Sequence, residues 1–251
     1  MSRPRLLDLY CCEGGAAAGY YCAGFDVYGV DLFEDYSQKR YPFPSWRGDA
    51  LGELRALSVG SSMTPLPERY GELLYLRDFD AIHASPPCQR HSAGTRASDR
   101  SKYPDLIGPT RELLKSTGLP YVIENVPGAP LEDPVTLCWT MFHQPGSVLD
   151  EDGTPLQMFR HRLFETNWEL TAPECKHDPD MQVAGSYGGA RRDKREAREI
   201  RHGGYVPSIP VQRELLGVNW MTQKGMFQCI PPSYTEHVGA QLLDMLREEA
   251  A

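Results

Sequence analysis

The 251-residue sequence predicts an α/β protein built on an open, doubly wound parallel sheet. Three features carry that expectation. Short apolar runs read as buried strands. A cluster of small residues follows the first run and opens into a helical stretch, and polar side chains stand where several of the runs end. In open α/β sheets the carboxyl edge of the strands is where ligands bind, so those end residues become the candidates for function.

Hydrophobic residues make up 41% of the chain and charged residues 24%, an ordinary balance for a globular protein. The length suffices for one full core with a small insertion. No apolar run approaches the ~18 residues of a membrane span, and Met1-Ser2-Arg3-Pro4-Arg5 lacks the apolar stretch of a signal peptide. The 7 cysteines are odd in number and scattered, so a reducing, cytoplasmic setting is expected. A net charge of −8 argues against indiscriminate nucleic-acid binding, so any such contact must rest on local basic patches.

The chain opens on a strand, Leu6-Leu7-Asp8-Leu9-Tyr10, which runs into Cys11-Cys12-Glu13-Gly14-Gly15 and a helix over Ala16 to Ala23. Gly24 to Leu32 then reads as a turn and a second strand with Asp31 near its end. Strand, Gly-rich turn, helix, strand and acid is the arrangement that binds a nucleoside cofactor, the carboxylate taking the ribose hydroxyls. Asp31 lies 17 residues after Gly14, close to the usual spacing of about 20. Asp49 follows a third strand; it either accepts from an adenine amino group or caps a helix. Ser58 to Glu68 is polar and Pro-rich and reads as a surface connection.

Phe79 to Ala84 is the next buried strand, and it delivers Ser85-Pro86-Pro87-Cys88-Gln89. Two prolines fix φ just before the thiol, which suits a nucleophile held in one orientation. A single cysteine is more often inert packing. Gln89 to Lys102 has little periodic pattern and is expected to be a mobile loop. Arg111 to Leu119 looks helical, and Pro120 to Ile123 is a strand that ends in Glu124-Asn125-Val126. A carboxylate there is either solvated at the rim or functional, because burying it is expensive.

A thiol and a carboxylate at neighbouring strand ends suggest a definite chemistry. A thiolate adds to an electron-poor carbon whose ring is activated by an acid. Cytosine C6 is such a carbon when N3 is protonated or hydrogen-bonded, which Glu124 can do while also accepting from the exocyclic amine. Addition at C6 makes C5 an enamine carbon able to attack a methyl sulfonium; loss of the C5 proton and expulsion of the cysteine restore the ring.

These residues carry a resemblance to the DNA cytosine-5 methyltransferases of the short bacterial or phage type. Asp8-Leu9-Tyr10 through Gly14-Gly15 resembles the family's first cofactor motif, Val30-Asp31 its ribose-binding acid, and Asp49 the residue that meets the adenine ring. Pro86-Pro87-Cys88-Gln89 is similar to the nucleophile motif and Glu124-Asn125-Val126 to the one supplying the acid. Gln157-Met158-Phe159-Arg160-His161-Arg162 resembles the Gln-x-Arg-x-Arg motif, Arg213 to Gly217 the ninth motif, and Tyr234 to Leu243 the returning final helix. The resemblance implies a Rossmann-like methyltransferase sheet, with S-adenosylmethionine held by Asp8, Tyr10, Gly14, Gly15, Asp31, Leu32, Asp49 and Pro86. It assigns Cys88 as nucleophile, Glu124 as the acid at N3, and Arg160 and Arg162 as anchors of the base. A monomer acting on double-stranded DNA is implied, in a restriction-modification or phage setting.

Three departures stand out. Cys12 occupies a place where the family has glycine; Glu236-His237-Val238-Gly239 replaces Gly-Asn-Ala-Val; and only 50 residues separate Arg162 from Arg213. The expected division is a catalytic domain over 1–164 plus 209–251, with a small target-recognition region over 165–208. That region holds a run from Arg191 to His202 in which 6 Lys or Arg residues face 3 acids. It reads as an arm contacting phosphates or as a solvated, salt-bridged helix. Arg191, Arg192 and Arg195, with Gln89, Arg90 and Arg96 of the catalytic loop, are the expected DNA contacts around a flipped-out base. Cys175 and His177 are too few to make a four-ligand site, so no metal is expected. Trp139, Phe142 and Phe164 are expected in the core. Rival readings are an amino-methyltransferase, since Ser85-Pro86-Pro87 fits part of that motif, a catalytically silent DNA-binding homologue, and an enzyme donating a larger group.

Overall fold

A computed structural model describes residues 3–33, 39–63, 73–186 and 205–249. Its central sheet is seven-stranded among the described residues, in the order β3-β2-β1-β4-β5-β9-β6. The strands are β1 (Arg5–Leu9), β2 (Asp26–Asp31), β3 (Ser45–Arg47), β4 (Ala81–Ala84), β5 (Tyr121–Asn125), β6 (Val135–Leu137) and β9 (Arg162–Thr166). From β3 to β5 all neighbours are parallel, whereas β9 runs antiparallel to both β5 and β6. The order reverses between β1 and β4, and a crevice opens there at the carboxyl ends.

Alternation along the strands sends side chains to two separate cores. Leu7 and Leu9 of β1, Tyr28 and Val30 of β2 and Ile82 of β4 pack with Leu54 and Leu57 of α2 (Ala50–Ser58) and Leu114 of α3 (Ile107–Thr117). Leu6, Val27, Ala81 and Val122 face the other way, toward α1 (Gly15–Ala23) and α7 (Pro232–Glu249). The two helices on that face touch through backbone. A Cβ on Gly19 would lie 2.1 Å from the Pro232 carbonyl oxygen, so only glycine allows the approach. Thr235 Oγ1 donates to the Ala16 carbonyl across it at 2.8 Å.

A second sheet joins β7 (Val148–Leu149), β8 (Pro155–Met158) and β10 (Gln182–Ala184), with β10 parallel to β8 and β7 antiparallel to it. The expected boundary at 165 falls within β9. Glu165 and Thr166 complete β9 in the main sheet, and β10 returns to pair with a strand that precedes Arg162. Gln157 drives the return: its amide, fully buried, donates to the Asp178 and Met181 carbonyls and accepts from the Asp178 amide.

The stretch after Cys88 is more regular than expected of a mobile loop. His91 and Ser92 amides donate to the Cys88 carbonyl, and a 3₁₀ turn spans Ala97–Lys102. The helix expected from Arg111 starts earlier, at Ile107, because Pro109 is tolerated in a first turn. Trp139 and Phe164 are fully buried, as the sequence indicated, while Phe142 is only partly buried against the same core cluster. Among the described residues no helix is long and apolar enough to cross a membrane.

Candidate active site

A cavity of about 540 Å³ lies at the carboxyl ends of β1, β2, β4 and β5, within the usual range for a small-molecule site. One wall carries Asp31, where β2 ends, Leu32, and Asp49 just after β3; the other carries Cys88, Gln89, Glu124 and Arg162. Asp8, Tyr10, Gly15 and Pro86 line it as well.

Glu124 and Arg162 meet because of register. Glu124 lies opposite Phe164 in the β5–β9 pair, so Arg162 is its diagonal neighbour on the same face. Arg162 Nε stands 3.1 Å from Glu124 Oε1. Burial raises the Glu124 pKa above the usual carboxylate value, opposed by Arg162, by a hydrogen bond from Ser85 and by Arg160. The Cys88 thiol is also pushed up, first by burial and then by the Glu124 charge, with Arg162 and Arg160 pulling the other way. The thiol therefore rests protonated near neutral pH.

The turn that carries Cys88 is braced by β5, by β4 itself and through it by α1. Asn125, buried at the end of β5, donates from Nδ2 to the Pro86 carbonyl at 2.8 Å. Ser85 Oγ is bonded to His83 Nε2 at 2.8 Å, and His83 Nδ1 to the Tyr20 hydroxyl at 2.9 Å. His83 is fully buried, and desolvation lowers its pKa to about 3, so it is neutral.

The first loop is shaped by left-handed backbone. Tyr10 and Cys12 have φ of 61° and 49°. At Cys12 this is the conformation that glycine adopts freely and other residues adopt at a cost. The Cys12 amide donates to Asp31 Oδ2 at 2.8 Å and so fixes the acid; burial nonetheless raises the Asp31 pKa. Gly14, at φ 84°, turns the chain into α1 against Tyr41 and Pro42, behind the cavity rather than in its lining. Asp49 caps α2, its Oδ2 accepting from the Gly52 amide at 2.8 Å, and the residue also lines the cavity.

Arg160 departs from the expectation. Its guanidinium is buried away from the cavity and donates to the carbonyls of Cys229, Met226, Phe227 and Ser186. The reason is the turn between β8 and β9: the His161 amide bonds back to the Phe159 carbonyl, so Arg160 falls outside the strand alternation that would put it on the face of Arg162 and meets the 226–229 turn instead. It positions that turn and is not among the residues that line the cavity. Of the expected DNA contacts, Gln89 lines the cavity, Arg90 folds back on the Tyr103 carbonyl and Asp105, and Arg96 is exposed. Arg191, Arg192 and Arg195 lie outside the described residues.

Sequence reasoning missed a third wall. Lys224, Phe227, Gln228 and Cys229, on and after α6 (Gln223–Gln228), line the cavity. Glu13 holds them there: buried in the first loop, it accepts from the Thr222 amide at 2.7 Å and the Thr222 hydroxyl at 2.6 Å. The final helix α7 contributes nothing to the lining; only Ile230, just before it, does. The reading of Cys175 and His177 as an isolated pair also needs correction, because folding brings Cys138 and His161 to them.

No family model matches the chain. Its sequence is 25% identical over 230 residues to a protein of Oceanobacillus iheyensis bearing the provisional name type II methyltransferase M.OihORF3336P, covering 87% of this chain and 46% of that protein. The chain thus spans about half the length of the curated relative it matches. Among solved structures, it is similar to an E. coli prophage protein provisionally described as a DNA modification methyltransferase, with a TM-score of 0.57 at 13% identity over 97% of this chain and 99% of that one. The Dnmt2 methyltransferase of S. pombe gives a TM-score of 0.52 at 13% identity, again over 97% and 99%. The fold is the Rossmann-like fold of these methyltransferases, with its mostly parallel sheet and its cavity at the switch point.

Proposed function

We propose that the chain is an S-adenosylmethionine-dependent DNA methyltransferase acting at C5 of a flipped-out cytosine. The observation that carries this reading is the meeting of Cys88, Glu124 and Arg162 on one wall of a cavity whose other wall presents Asp31 and Asp49. The donor set fits the cofactor. Asp31 would accept from ribose hydroxyls, Asp49 would offer a carboxylate oxygen to the adenine amine, and the exposed Leu32 side chain would lie against the base. S-adenosylmethionine supplies an electrophilic methyl group when bound.

The chain's own residues then do the rest. Glu124 donates its proton toward N3 of cytosine, a role suited to a carboxyl whose pKa burial has raised. Arg162 holds that carboxyl through Nε at 3.1 Å and would offer its remaining N–H groups to the exocyclic O2 carbonyl of cytosine. As the Cys88 sulfur bonds to C6 its proton passes to water; once C5 carries the methyl group, the C5 proton is lost to water, the C6–S bond breaks with its electron pair returning to sulfur, and N3 gives its proton back to Glu124. Double-stranded DNA as substrate is supported by the basic run between Arg191 and Arg201 in an otherwise acidic chain, and by the names of the relatives. The oligomeric state proposed is a monomer, in a cytoplasmic restriction-modification or phage setting.

Nucleoside mass spectrometry of DNA from a methylation-free host expressing the chain tests this. A 5-methylcytosine peak that vanishes with Cys88→Ala is the expected result. N4-methylcytosine or N6-methyladenine would replace the reading with an amino-methyltransferase, and a heavier cytosine adduct with a larger transferred group. No modified base would favour a silent DNA-binding homologue.

A further inference from the structure

Cys138, His161, Cys175 and His177 come from three distant stretches of chain, yet their ligand atoms all lie within 4.8 Å of one another. Cys138 precedes α4 (Trp139–Phe142), His161 sits in the turn between β8 and β9, and Cys175 and His177 belong to the segment leading to β10. His177 Nε2 is 3.2 Å from Cys138 Sγ and 3.0 Å from Cys175 Sγ, and His161 Nε2 is 3.9 Å from Cys175 Sγ. Zinc bound at about 2.3 Å to sulfur and about 2.0–2.1 Å to nitrogen makes a tetrahedron with edges of about 3.3–3.8 Å. The observed separations fall around those edges.

We propose that these four side chains bind a structural zinc ion. Two thiolates and two imidazoles in a tetrahedral arrangement select zinc over harder cations. Four protein ligands leave no open position, which marks the site as structural rather than catalytic. The surroundings suit the ion. Thr140 Oγ1 accepts from the Lys176 amide at 3.2 Å and stands 3.5 Å from Cys138 Sγ and 3.4 Å from Cys175 Sγ, so its O–H is free to donate to a thiolate. Phe159 stacks on the His177 ring at 3.8 Å and fixes its plane. Cys138 is buried while Cys175 and His177 are exposed, which gives the ion an entry path.

The placement gives the ion a purpose. His161 lies between Arg160, which holds the 226–229 turn, and Arg162, which pairs with Glu124. Cys175 and His177 stand just upstream of the chain that enters the short insertion. Zinc would tie the arginine-bearing turn and the root of the insertion to the start of α4. The site does not depend on the proposed methyl transfer.

Elemental analysis of the full-length chain, expressed with zinc in the medium and purified without chelator or a metal-binding tag, tests the assignment. Stoichiometric zinc is expected, lost in Cys175→Ser and in His177→Ala and retained in Cys22→Ser, an exposed cysteine elsewhere. Cobalt added to the metal-free wild type is expected to give intense tetrahedral visible bands and a thiolate charge-transfer band, a readout that needs no variant to fold. A folded wild-type chain with neither zinc nor that cobalt spectrum would overturn the proposal. So would zinc retained by the Cys175→Ser/His177→Ala double variant.

Discussion

Arg162 Nε and Glu124 Oε1 are 3.1 Å apart across two antiparallel strands, and Cys88 senses both charges. The carboxylate raises the thiol pKa and the guanidinium lowers it. Opposite shifts therefore follow from neutralising either one. Glu124→Gln brings the Cys88 pKa down, so more thiolate exists at a fixed mildly alkaline pH. Alkylation of Cys88 by iodoacetamide is expected to speed up several-fold, while methyl transfer falls by about 10²–10⁴-fold because the proton donor is gone. Arg162→Leu reverses the first effect and slows alkylation. Equal alkylation rates in all three proteins would show that the pair does not govern the thiol.

Cys12 offers a test of backbone strain. Its φ of 49° is unfavourable for a residue with a Cβ, by about 1–2 kcal/mol. Cys12→Gly removes that strain and Cys12→Ala keeps it. Glycine costs about 0.5–1 kcal/mol in ordinary positions, so the usual ranking inverts here. Cys12→Gly is expected to unfold in urea at a higher midpoint than Cys12→Ala. A midpoint lower for the glycine variant would mean that the loop relaxes away from this conformation.

The sheet and its end residues were legible because each strand is short, apolar and followed by a distinctive group. Asp31, Asp49, Cys88 and Glu124 all reach the cavity from positions the sequence marked. What escaped had no local signature. The Lys224–Cys229 wall is held in place by Glu13, some two hundred residues away along the chain, through the Thr222 bonds. Arg160 and Arg162 are indistinguishable in a motif, yet the turn at Phe159 to His161 sends them to different partners. The cysteine and histidine cluster was invisible for the same reason, since Cys138 lies 39 residues before His177 and no ligand spacing connects them.

Arg160 is expected to matter for stability more than for chemistry. Its guanidinium satisfies several carbonyls that have no water to turn to. Arg160→Met leaves them unpaired, and at about 1–3 kcal/mol for each buried acceptor left unsatisfied a loss of several kcal/mol is expected. Arg96→Met, on the exposed loop, is expected to change stability by less than about 0.5 kcal/mol. Chemical denaturation of both variants separates the cases. If Arg160→Met matched Arg96→Met, the carbonyl network would be dispensable.

His83 sets a pH dependence whose sign can be worked out. Its pKa falls from 6.5 to about 3 on folding, because burial disfavours the cation. Between those values the unfolded chain binds a proton that the native chain does not, so this histidine's contribution weakens as pH falls below about 6.5 and is constant above it. The raised pKa values of Asp8, Asp31 and Glu124 act in the other direction, since the native state then holds protons that the unfolded chain releases as pH rises. Comparing wild type with His83→Gln isolates the histidine, provided the carboxyl groups titrate alike in both. The difference in unfolding free energy is expected to be flat at neutral pH and to shrink by up to about 1.4 kcal/mol per pH unit in acid. His83 also steadies Ser85, which donates to Glu124. The same variant should therefore shift the pH profile of methyl transfer, which a merely space-filling histidine would leave in place. A pH-independent stability difference together with an unmoved profile would remove His83 from any role beyond packing.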